Sequence, residues 1–177
     1  HFMECNYVTE IKKAGENIYA GTKGGCGMMK STDEGLTWTP INNGLSSNII
    51  NGITIYENEE IFAATNSGIH NSNNYGSSWS IINNLPVTDF FSVQFLDSVL
   101  YAASFNTIYK STNLGINWIS ASNGIPAASG INSFEKIGNK IFAAGNMGVF
   151  QSTNNGVSWN SANAGLGDTF INTLISI

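Results

Sequence analysis

The sequence contains no arginine; its seven cations are all lysine, set against twelve carboxylates for a net charge of −5. That balance excludes a nucleic-acid binder built on a basic face, because neutralising phosphates takes clustered cations. It also removes the bidentate guanidinium clamp used to recognise carboxylates and phosphates. Charged residues of both signs make up only 11% of the chain, less than half of the roughly 25% of an average soluble domain. Cysteine occurs twice, too seldom for a disulfide framework, and no Cys-x-x-Cys spacing points to a metal. No apolar run approaches the roughly 20 residues of a membrane-spanning helix. No secretory leader is visible, as is also true of a mature exported protein.

Uncharged polar residues take the place of charge. Asparagine alone occurs 25 times in 177 residues. With 42% hydrophobic residues the chain can bury a core, which excludes disorder.

One eight-residue segment recurs four times: Ser31–Trp38, Ser72–Trp79, Ser111–Trp118 and Ser152–Trp159. It reads Ser-x-Asp/Asn-x-Gly-x-Ser/Thr/Asn-Trp, and it accounts for all four tryptophans, spaced 41, 39 and 41 residues apart. Before each copy stands an apolar-small motif: Ile18–Gly21, Ile61–Ala64, Leu100–Ala103 and Ile141–Ala144. After each comes a turn such as Asn43-Gly44-Leu45 or Asn123-Gly124-Ile125. Each period holds about four short strands, in the second period Ile49–Tyr56, Glu60–Ala64, Gly68–Ser72 and Ser78–Ile82. They are β-branched, aromatic and apolar, and Gly, Asn, Asp and Ser separate them. Four-stranded units repeating every 40 residues predict an all-β fold of propeller blades. Within the eight-residue segment, the Asp or Asn oxygen is expected to accept from a backbone N–H two residues on. The glycine supplies a positive φ, and the tryptophan fills space between neighbouring sheets. Asp33 is replaced by Asn74, Asn113 and Asn154 in the other copies, so the role is hydrogen bonding and not catalysis or ion binding.

These segments resemble the Asp-box, or BNR repeat, over nearly the whole chain. The resemblance implies a propeller in which Asp33, Gly35 and Trp38, Asn74, Gly76 and Trp79, Asn113, Gly115 and Trp118, and Asn154, Gly156 and Trp159 are structural. It places the segments at the turn between third and fourth strands, opposite the face where propeller ligands gather. Family members include sialidases, xyloglucan-active glycosidases, sortilin-type receptors and photosystem II assembly factors. The polar texture is most similar to repeats of secreted and surface proteins of bacteria, which implies an extracellular or cell-surface location. One fold hosts many activities. Sialidase chemistry is disfavoured, because that family holds its substrate carboxylate with three arginines and this chain has none.

The blades are expected at about 7–45, 46–86, 87–126 and 127–167, with 168–177 repeating the first strand of a further or shared blade. That extra strand implies a longer parent propeller, a head-to-tail homo-oligomer, or open-ended association. Residues near the ligand face are Asn51, Asn66, Asp89, Phe91, Phe105, Asn132, Asn146, Asp168 and Asn172. Amides beside aromatics suit sugar hydroxyls or a polar protein surface; inter-blade packing is the competing role. Asp89 and Asp168 are the carboxylates that a glycosidase pair would use, with loop capping as the alternative. His70 aligns with Met29, Tyr109 and Phe150, as a packed histidine would. Cys5 and Cys26 fall near the same face, and spacing leaves their pairing open. No catalytic constellation, metal set or cofactor motif is present. The expected function is a non-catalytic binding or scaffold module of an extracellular bacterial protein, recognising a protein or glycan. The alternatives are a portion of an Asp-box glycoside hydrolase and a self-assembling structural subunit.

Overall fold

The structure is a computed structural model that describes residues 7–57 and 60–175. Among them the chain forms sixteen strands, and every sheet is antiparallel with four strands in simple order. The first sheet is β1 (Val8–Ala14), β2 (Asn17–Thr22), β3 (Met28–Ser31) and β4 (Thr39–Pro40). The second is β5 (Ile50–Tyr56), β6 (Glu60–Thr65), β7 (Gly68–Ser72) and β8 (Ser80–Ile81). The third is β9 (Phe90–Leu96), β10 (Val99–Ser104), β11 (Ile108–Ser111) and β12 (Ile119–Ser120). The fourth is β13 (Ile131–Ile137), β14 (Lys140–Gly145), β15 (Gly148–Ser152) and β16 (Asn160–Ser161). The expected all-β array of four-stranded blades is what the chain forms. It divides into two compact units, His1–Val93 and Gln94–Ile177.

The second strand of each sheet is the most deeply buried, and this is where the apolar-small motif lies. Tyr19, Ile61, Ala63, Tyr101, Ala103, Ile141 and Ala143 of this motif lie in the two apolar cores. The first strands of three sheets share an irregularity. Pairing shifts by one residue between Val8 and Glu10, between Ile50 and Gly52, and between Ile131 and Ser133. This is a β-bulge, which leaves one residue out of the ladder and re-aims its side chain. The bulged residues are Thr9, Asn51 and Asn132. Each donates to a carbonyl of the next segment along the chain: Thr9 Oγ1 to Ile50 O (2.9 Å), Asn51 Nδ2 to Phe90 O (2.7 Å) and Asn132 Nδ2 to Ile171 O (3.2 Å).

The eight-residue segment is a tight turn with a serine at its centre. The buried hydroxyls of Ser31, Ser72, Ser111 and Ser152 each accept from the glycine N–H four residues on, at 2.9 Å in every copy. Each donates to the Asp or Asn Oδ1 two residues on. That Oδ1 accepts from the N–H four residues further, at 2.9 Å in all four copies, and not from the expected N–H two residues on. The serine already holds the nearer glycine N–H, so the Asx oxygen reaches past it. Both central residues have positive φ, for example Glu34 at 59° and Gly35 at 90°, as in a type I′ turn. Asp33 Oδ2 accepts from the Thr37 hydroxyl at 2.6 Å, whereas Asn74 and Asn154 donate from Nδ2 to Ser78 and Ser158 at 2.8 Å. A hydroxyl serves either polarity by rotating.

Within each unit one tryptophan fastens the second sheet to the first. Trp79 and Trp159 are buried in the two apolar cores. Their Nε1–H groups donate to Ile41 O and Ala121 O, at 2.7 and 2.8 Å. Their main-chain N–H groups donate to Asn43 O and Asn123 O, both at 2.8 Å. The fourth strands are only two residues long in all four sheets, shorter than the sequence suggests. The following glycines sit against the same tryptophans. A Cβ on Gly44 or Gly124 would lie 2.2 or 2.0 Å from the carbonyl of Trp79 or Trp159. Truncating an indole buried this way costs roughly 3–5 kcal/mol. Trp38 and Trp118, in the first sheet of each unit, are half-buried, and Trp118 turns its N–H back to Gly115 O (2.9 Å). No preceding sheet within either unit receives them.

The turn network predicts a contrast between two substitutions. Asp33→Asn keeps the acceptor and reverses one hydroxyl, so at neutral pH it loses only the carboxylate's own contribution and lowers the urea midpoint less than Ser111→Ala does. Ser111→Ala strands the buried Gly115 N–H and costs about 1–3 kcal/mol, measured by the same denaturation. Asp33 itself is held down to about 2 by the Thr37 hydroxyl, the Thr37 N–H and then Ser31. Its contribution is therefore present above its ordinary value and lost as pH falls through about 2.

Candidate functional site

Strand reversal gathers the loops between second and third strands at one end of each unit, together with the loops that lead into the next first strand. In the second unit these loops are hydrogen-bonded to one another. Gly130 N–H donates to Phe105 O (3.1 Å), Asn146 N–H to Ser129 O (2.8 Å) and Ile171 N–H to Gly145 O (3.0 Å). Ala128 N–H donates to Asn106 Oδ1 (3.0 Å), and Asn163 Nδ2 donates to Met147 O (3.1 Å). Gly130 lies under both Asn146 Nδ2 and the Phe105 ring; a Cβ there would be 2.5 and 3.6 Å from them. Backbone polar groups are thus satisfied inward. Phe105, Met147 and Phe170 stay 47%, 44% and 57% exposed. Apolar side chains flanked by amides on a fixed backbone form the kind of surface that exchanges water for a ligand. The one carboxylate in these loop segments, Asp168, accepts from Phe170 N–H at 3.0 Å, the loop-capping arrangement.

The first unit builds its end differently. Ser47 Oγ donates to Asn66 Oδ1 at 2.5 Å. Lys23 Nζ stands 6.0 Å from the Tyr7 ring centroid, and Lys23 N–H donates to Tyr7 O at 2.9 Å. Asn42 fixes the longer loop before β3 by donating to Cys26 O (2.7 Å) and accepting from Met28 N–H (2.7 Å). Cys26 is disulfide-bonded; Cys5 lies outside the described residues.

The sequence candidates separate into two groups. Phe105 and Asn146 meet at the loop end of the second unit, next in sequence to Asn106 and Met147. Asn51 and Asn132 are the bulge residues, and their amides serve the protein's own backbone. Phe91 is half-buried in β9, Asp89 is exposed just before it, and Asn172 is exposed beyond β16. Asp89 belongs to the first unit and Asp168 to the second. Phe170 was missed; the equivalent entries of the other repeats are Ile49, Asp89 and Gly130, which share no residue type and of which Gly130 is buried. Among the described residues no group of three His, Cys, Asp or Glu side chains could hold a metal.

His70 is packed, as its alignment with Met29, Tyr109 and Phe150 suggests. It is fully buried; the Ser46 hydroxyl lies 2.7 Å from Nε2, and Ser46 N–H donates to the same nitrogen at 3.3 Å. An Nε2 that accepts is unprotonated, so the ring is neutral. Burial pushes its pKa below the ordinary value, partly countered by the Gly68 backbone.

No protein-family model matches the chain, and no curated protein matches it. Solved structures do. The extracellular domain of a one-component system from B. thetaiotaomicron superposes with a TM-score of 0.76 at 18% identity, over 96% of this chain and 24% of that one. A GH74 xyloglucanase from Xanthomonas campestris gives 0.68 at 16% identity, over 92% and 31%. YCF48 bound to D1 peptide gives 0.67 at 16% identity, over 87% and 54%. This chain thus spans about a quarter to a half of the length of these structures. At such identities the likeness establishes the β-propeller fold.

The histidine generates a prediction for acid conditions. Because the folded pKa is lowered, its contribution to stability is complete above about 6.5 and declines as pH falls below that value. Between pH 6.5 and 5 the wild type should lose stability and His70→Phe should lose less. Urea midpoints across that range measure it, and equal slopes would contradict it.

Proposed function

We propose that the chain is a non-catalytic recognition module of an extracellular bacterial protein, belonging to the Asp-box propellers, and that it binds a protein segment or glycan at the loop end of its second unit. The carrying observation is the cluster of exposed Phe105, Met147 and Phe170 among Asn106 and Asn146, on loops already cross-bonded to one another. Preordered loops lose little entropy on binding. Exposed rings and amides supply stacking and directional hydrogen bonds without charge. The similar YCF48 structure holds a peptide, and the B. thetaiotaomicron structure is the extracellular domain of a one-component system; both support recognition. The GH74 neighbours support a second reading, in which the chain is a portion of a glycoside hydrolase. Against it, Asp168 is occupied in capping its own loop.

Titration with xyloglucan oligosaccharides and with extended peptides, followed by backbone amide shifts, tests the reading. Shifts should concentrate at Phe105, Gly130, Asn146 and Met147. Phe105→Ala should weaken binding by roughly tenfold or more, the loss of about 1.4 kcal/mol expected for one aromatic anchor. Glycan cleavage abolished by Asp89→Asn or Asp168→Asn would contradict it.

A further inference from the structure

The segment after the fourth sheet reproduces the bonds by which one blade's inner strand rests on the preceding one. In the first unit, Thr9 at the β1 bulge donates to Ile50 O, and Ile53 N–H donates to Glu10 Oε2 (2.7 Å). In the second unit, Asn132 at the β13 bulge donates to Ile171 O, and Leu174 N–H donates to Ser133 Oγ (3.1 Å). The matches are position for position: Asn132 with Thr9, Ser133 with Glu10, Ile171 with Ile50 and Leu174 with Ile53. Residues 171–175 are thus seated as an inner strand, yet they belong to none of the four sheets.

A second observation concerns the turn that follows β16. Asn163 is fixed as Asn42 is, accepting from Val149 N–H and donating to Met147 O. Gly165 has φ of 84°, beside 89° and 91° for Gly44 and Gly124. Those two glycines are pressed against a tryptophan carbonyl, whereas nothing lies within 4 Å of the Cβ position of Gly165. The receiving half of the tryptophan clasp is therefore present in its docked conformation, and nothing in its own unit fills it.

We infer that the trailing side of the fourth blade is a preformed seat for a fifth blade of this chain's own repeat design. Residues 171–175 serve as its innermost strand. The occupant brings a second strand of the Ile/Leu-aromatic-Ala-Ala pattern to pair with that strand, then an eight-residue turn whose tryptophan clasps Ala162 and Ala164 as Trp79 clasps Ile41 and Asn43. The same interface is already formed within both units, at Trp79 and Trp159.

The repeat register supplies the test. Ile177 corresponds to Tyr56, so residues 57–86 joined directly after Ile177 complete a blade in phase. The extended chain should remain monomeric, melt several degrees higher and show slowed amide exchange at 171–175. Gly165→Ala separates seating from mere extension. In the original chain it meets open space and bears only the cost of its backbone angle. In the extended chain it meets the new tryptophan carbonyl and should remove most of the gained melting temperature. Unchanged exchange at 171–175 on extension, or an equal effect of Gly165→Ala in both chains, would overturn the inference. So would protection of 171–175 by self-association of the original chain, which would assign the seat to a second copy.

Discussion

An antiparallel sheet needs a covered apolar face as well as its ladder to be stable in water, and each of these sheets ends in an outer strand of two residues. What makes these sheets stable is the clasp between one sheet and the next. An indole from the later sheet enters the core, its ring N–H and main-chain N–H both bond the earlier sheet's closing turn, and a glycine lets the turn come close. The rest follows from that constraint. The serine-centred turn exists to present the tryptophan at a fixed angle. The glycine after the fourth strand is required by contact as much as by its backbone angle. At Trp79 and Trp159 the main-chain N–H also bonds the earlier sheet, at Asn43 O and Asn123 O.

The clasp also separates two kinds of asparagine that look alike in sequence. Asn51 and Asn132 sit at bulges and tie one inner strand to the next segment. Asn146 and Asn106 sit in loops beside exposed Phe105 and Met147. The first kind is architecture. The second lines the proposed recognition surface. A bulge is a backbone event set by pairing register, so residue identity alone does not distinguish them.

The fold class was legible because the repeat is redundant: four tryptophans at one spacing, each with the same apolar-small motif before it and a turn after it. Strand positions followed within one or two residues for the inner three strands of the second repeat. The serine's part in the turn was not legible, since a serine before Asp or Asn is ordinary turn composition until its hydroxyl is seen to hold the glycine N–H. The pairing of sheets was written in Tyr19 and Lys30 against Tyr101 and Lys110, residues that recur in alternate repeats. Lys30 lies over the rings of Tyr19 and Tyr75, and Lys110 bonds Asn155 O. A search for one 40-residue period averages that alternation away. Phe170 was hidden for a different reason: its exposure depends on the seating of a segment outside the sheets.

Hydrogen exchange of the four indole N–H groups, resolved by NMR, tests the clasp most directly. The account predicts slow exchange for Trp79 and Trp159, whose N–H groups are bonded to Ile41 O and Ala121 O inside the cores, and faster exchange for half-buried Trp38 and for Trp118, which is bonded only within its own turn, to Gly115 O. Four equal rates, or protection of Trp38 and Trp118 above the other pair, would contradict it.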